Sequence, residues 1–89
     1  GVPIPADDRL VFTEDNPARE LTVAAQLATV ARVMKARDAA VAADALGAAR
    51  EVFARAIDRT TELEPRVFAL AELWRTTGER GYLDRLLKL

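Results

Sequence analysis

Hydrophobic and polar positions divide the chain into a short irregular start and a long helical remainder. From Asn16 onward the sequence is rich in Ala and Leu, and no Pro or Gly follows Pro17 until Gly47. Asn16-Pro17 predicts a helix start, since Asn caps free amides and Pro suits the first helical position. Along this first helix Val23, Leu27, Val30 and Met34 recur at i, i+4, i+7 and i+11. Ala24, Ala28 and Ala31 form a neighbouring row of small residues, and Thr22, Gln26, Thr29 and Arg32 leave only a narrow polar stripe. A helix apolar around most of its circumference predicts burial among several neighbours.

A break is expected near Arg37-Asp38, where Asp38 can cap a second helix reaching roughly to Thr60. In that helix Leu46, Ala49, Phe53 and Ile57 face one way, and Asp44, Glu51, Arg55 and either Asp58 or Arg59 face elsewhere. Gly47 inside it costs about 1 kcal/mol relative to Ala, which points either to tight packing or to simple tolerance. Glu64-Pro65 predicts a third helix, with Val67, Leu70, Ala71 and Trp74 on one face and Phe68 and Leu73 flanking it. Gly78 predicts its left-handed stop. A fourth helix then places Tyr82, Leu83, Leu86 and Leu87 on one side and Asp84, Arg85 and Lys88 on the other. The expected fold is all-α, built of antiparallel helical hairpins: two long helices, then a short hairpin, over residues 17–89.

Residues 1–16 read differently. Pro3 and Pro5 favour extended backbone. Leu10-Val11-Phe12 suits a short strand or a tucked loop, and Asp7, Asp8, Glu14 and Asp15 suit a solvated loop. The segment is expected to be irregular.

Composition narrows the chemistry. The 89 residues are 51% hydrophobic and 30% charged, which is globular rather than disordered. The net charge is −1, which argues against a nucleic-acid partner held by a basic face. Cys is absent, so disulfides, thiol nucleophiles and Cys-based zinc sites are excluded. His is absent too, which removes the commonest general base and metal ligand. No apolar run approaches the ~20 residues of a membrane span, and no signal peptide is visible. No membrane partner, cofactor or metal is expected.

Two stretches resemble family 9 glycoside hydrolases, the cellulase and endoglucanase group. The segment RELTVAAQLATVARVMKARDAAVAADALGAAREVFARA is similar to that family's paired Ala-rich helices, with Ala42, Ala43, Leu46, Ala48 and Ala49 at matching positions after Lys35 and Asp38. The stretch ELWRTTGERGYL resembles its helical hairpin through Glu72, Leu73, Thr77, Gly78, Tyr82 and Leu83, with Trp74 in place of a Tyr. The resemblance covers about residues 18–89. It implies part of an (α/α)6 barrel, whose parent would hydrolyse β-linked glucan or a related polysaccharide by inversion, and would be secreted or periplasmic.

Inversion requires two widely spaced carboxylates. The family's Asp-rich base motif, its C-terminal general acid and its substrate-binding His have no counterpart here. No catalytic, cofactor-binding or metal-ligating residue is therefore assigned, and the 89-residue chain alone is expected to be inactive. Trp74 and Tyr82 could stack on sugars, but at helical spacing beside Leu70 and Leu86 they read as core. The clusters Arg50–Glu51–Arg55 and Asp84–Arg85–Lys88 read as solvated faces. The expected partner is the remainder of a larger catalytic domain, or a symmetry mate packed through Ala-rich helix faces. Competing expectations are a tetratricopeptide-like interaction module and a small homo-oligomeric bundle.

Overall fold

A computed structural model describes residues 16–89, so the expectations placed on Pro3, Pro5, Asp7, Asp8, Leu10-Val11-Phe12, Glu14 and Asp15 lie outside the described residues. The described chain is helical throughout, with α1 at Pro17–Met34, α2 at Ala39–Ala56, α3 at Leu63–Thr77 and α4 at Arg80–Leu87. The all-α hairpin architecture read from the sequence is the observed one.

Local chemistry fixes most boundaries. The Asn16 side chain accepts from the Arg19 amide at 3.1 Å, and Pro17 occupies the first turn. Asp38 caps α2 by accepting from the Val41 amide at 3.1 Å, so the helix break at Arg37-Asp38 is real. α3 begins at Leu63, slightly before Glu64-Pro65, and places Pro65 in its first turn, where its missing N–H leaves no bond unmade. Gly78 closes α3 in the left-handed region at φ 71°, and its amide donates to the Trp74 carbonyl at 2.8 Å. Thr77 reinforces this corner. Its hydroxyl donates to the Leu73 carbonyl at 2.8 Å and accepts from the Glu79 amide at 3.0 Å.

α1 is the central element and packs against both α2 and α3, while α3 packs against α4. The four-residue connection from α1 to α2 makes that pair antiparallel. Contacts from Thr29 and Arg32 to Glu72 and Thr76 join the later turns of α1 and α3, which therefore run parallel. The core holds Leu21, Ala24 and Ala28 from α1, Ala49, Phe53 and Ala56 from α2 with the adjoining Ile57, and Ala69, Leu70 and Leu73 from α3. Leu27, Leu46, Val52, Tyr82 and Leu86 pack around it. Small side chains on α1 and α2 let the two axes approach closely.

The buried faces correct the sequence reading in two helices. In α1 the alanine row with Leu21 is buried, and the Val row faces outward: Val23 is 39% exposed, Val30 43% and Val33 62%. Leu27 and Met34 of that row are half-buried. In α3 Ala69, Leu70, Glu72 and Leu73 are buried, whereas Val67 and Phe68 are exposed and Trp74 is half-buried. Phe68 lies where the first turns of α1 and α3 leave an open groove, beside Ala18 and Thr22, and so stays exposed. In α4 Tyr82, Leu83 and Leu86 are half-buried, and Leu87 is 72% exposed. Gly47 has open space where a Cβ would stand, so its place in α2 reflects tolerance rather than tight packing.

Candidate functional site

Polar side chains gather between α1 and α3. Glu72 is 8% exposed. Its Oε1 accepts from the Thr29 hydroxyl at 3.1 Å and pairs with Arg32 Nη2 at 2.9 Å. Its Oε2 meets Arg75 Nη1 at 3.2 Å. Arg32 Nη1 also donates to the Thr76 hydroxyl at 3.0 Å, and that hydroxyl donates to the Ala28 carbonyl at 3.0 Å. The carboxylate thus has a partner for each oxygen, as a buried charge requires. Burial pushes the Glu72 carboxyl up, but the hydrogen bonds from Arg32 and Thr29 and the charges of Arg32 and Arg75 together hold it below the usual carboxylate range.

Two positions that carry the family resemblance, Glu72 and Thr77, have structural work in this arrangement. Glu72 ties α3 to α1, and Thr77 with Gly78 shapes the turn into α4. In the sequence Glu72 lies between Ala71 and Leu73, and a lone acid in an apolar run is the one signal that marks it. Its partners Thr29 and Arg32 lie on another helix, within the narrow polar stripe of α1, and nothing local links them to Glu72.

A second polar cluster clamps α4 to α2. Arg50 forms a two-pronged pair with Glu79, at 2.9 Å to Oε1 and 2.7 Å to Oε2, and its Nη1 reaches the Tyr82 hydroxyl at 3.2 Å. The hydrogen bond to Glu79 raises the Arg50 pKa, and the same bond lowers that of Glu79. Tyr82 meets Phe53 edge to face, with centroids 5.4 Å apart and planes at 85°. Arg85 lies over the Phe53 ring at 5.8 Å and pairs with Asp58 at 2.9 Å. The clusters read as solvated faces therefore hold cross-helix contacts from Arg50 and Arg85, while Glu51, Asp84 and Lys88 stay exposed. Tyr82 packs within this clamp rather than presenting an open ring, and Gly78 is a helix stop.

Two open grooves flank the bundle. One, of about 530 Å3, lies where the first turns of α1 and α3 meet and is lined by Ala18, Arg19, Thr22, Glu64, Pro65 and Phe68 among others. The other, of about 430 Å3, lies at the opposite end of α1 beside Arg32 and Arg75. Among the described residues no group of three or more acidic side chains could hold a metal ion, and no helix is long and apolar enough to cross a membrane. Compared with known protein families, characterised proteins and solved structures, the chain matches none.

Proposed function

We propose that this chain is a non-catalytic wall segment of a helical toroid of the family 9 glycoside hydrolase kind, in which paired hairpins circle a cleft and the catalytic carboxylates come from other parts of the polypeptide. The observation that carries the reading is the outward face of α1. Val23, Val30 and Val33 stand exposed on the helix at the centre of the bundle. Val67 and Phe68 of α3 and Val41 of α2 add further apolar surface. Exposed apolar side chains repeated along one helix mark a face that another element covers. The fully partnered Glu72 and the Thr77–Gly78 corner support the same reading, because they serve the shape of the hairpin.

Self-association is the second reading, and one observation favours it. The exposed Val23, Val30 and Val33 recur at i, i+7 and i+10, the spacing of a helix–helix seam. The alanine row of α1 is buried inside the chain, so on that helix the valines would make the contact.

The test is reducing-sugar release from soluble β-glucan by the 89-residue chain and by the complete open reading frame that encodes it. The expected result is no release from the chain alone, and release of the inverted anomer by a longer product. A reading frame encoding no further helical hairpins, or a longer product with retained stereochemistry, would overturn the proposal.

A further inference from the structure

The last turns of α1 and α3 and the first turns of α2 border the groove of about 430 Å3. Its floor is made of the methyl groups of Ala31, Ala39, Ala42 and Ala43 with Leu46 beside them. Its rim carries Arg32, Lys35, Arg75 and Thr76. The rim carries three cations, and among the described residues Glu72 is the acid that pairs with its two arginines. Lys35 is exposed and pairs with none of the described residues. Arg75 has a side chain 61% exposed and commits only Nη1 to Glu72. The N-terminus of α2 adds no free positive charge, since the Asp38 carboxylate already caps it.

We propose that this groove docks an acidic helical peptide segment, with an aliphatic side chain on the alanine floor and a carboxylate between Lys35 and Arg75. Charge complementarity selects an acidic partner. The shallow floor selects a peptide over a small acid. Alanine side chains let a helix backbone come close, whereas a short alkyl acid would lie open to water on such a surface. The site is separate from the outward valine row of α1.

The experiment follows amide chemical shifts of the whole chain during titration with a capped peptide of four Glu-Leu-Ala-Ala repeats. The same peptide with Gln for Glu, and octanoate, serve as comparison ligands. The expected result is shifts concentrated at Ala39, Ala42, Leu46 and Thr76, with about tenfold weaker binding by the Gln peptide and by Lys35→Glu. Lys35 is exposed, so that variant keeps the fold, which circular dichroism checks. Ala43→Glu, also at an exposed position, should block the floor with the fold intact. Equal binding by the Gln peptide, shifts centred on Val23 and Val30, or octanoate reproducing the full pattern at the same concentration would each overturn the proposal.

Discussion

Replacing Glu72 with Ala tests how much the buried polar seam contributes. Arg75 has a side chain 61% exposed, so its pair with Glu72 is worth only about 0–1 kcal/mol. The single Thr29 hydroxyl hydrogen has the Ala25 carbonyl at 3.0 Å as an alternative acceptor, so Thr29 loses little. The cost falls on Arg32, whose side chain is 31% exposed and whose pair with Glu72 spans 2.9 Å. A hydrogen bond between charged groups contributes roughly 1.5–3 kcal/mol, and a partly hydrated Arg32 can recover some of it. Glu72→Ala should therefore cost about 2–3 kcal/mol. For a domain of this size that corresponds to a fall in Tm on the order of 10–20 °C. Urea unfolding followed by circular dichroism measures it, and a double-mutant cycle with Arg32→Ala isolates the pair, with coupling of about 1.5–2.5 kcal/mol expected. A cost under about 0.5 kcal/mol, or no coupling, would refute the reasoning, because Glu72 would then be no anchor between α1 and α3.

Other expectations follow from the same contacts. Because the folded-state pKa of Glu72 lies below its unfolded value, its contribution is full above the ordinary carboxylate range and is lost as pH falls through the folded pKa; the acid limb of a stability-versus-pH curve should flatten in Glu72→Gln. Gly47→Ala should stabilise by about 0.5–1 kcal/mol, since the new Cβ meets open space inside a helix. Gly78→Ala should destabilise by about 1–2 kcal/mol through backbone strain alone, because its Cβ also meets nothing but φ is 71°; thermal melts of the two variants should move in opposite directions. Asp38→Ala should cost about 1 kcal/mol by uncapping α2, and amide exchange should quicken first at Val41.

Features that depend on a few adjacent residues were legible in the sequence. Asn16-Pro17, Asp38 and Gly78 each act on their own helix end, and each does in the structure what its chemistry dictates. Which face of α1 turns inward was not legible. Both its valine row and its alanine row are apolar, so periodicity offered no preference. Packing chose the alanines because they permit the closest approach to α2, which leaves the bulkier valines outside. Phe68 illustrates the same limit, since hydrophobicity argued for burial while the open groove between the first turns of α1 and α3 leaves it exposed. The Glu72 seam depends on residues 43 positions apart in Thr29 and Glu72, and no local pattern encodes that pairing.

The account stands most directly on the outward valine face of α1, and solution mass by light scattering across a range of concentrations tests it. The account predicts apparent masses that rise above the 9.7 kDa of the single chain as concentration increases, and that return toward it in Val23→Lys/Val30→Lys. A single 9.7 kDa species at every concentration, unchanged by those substitutions, would contradict it.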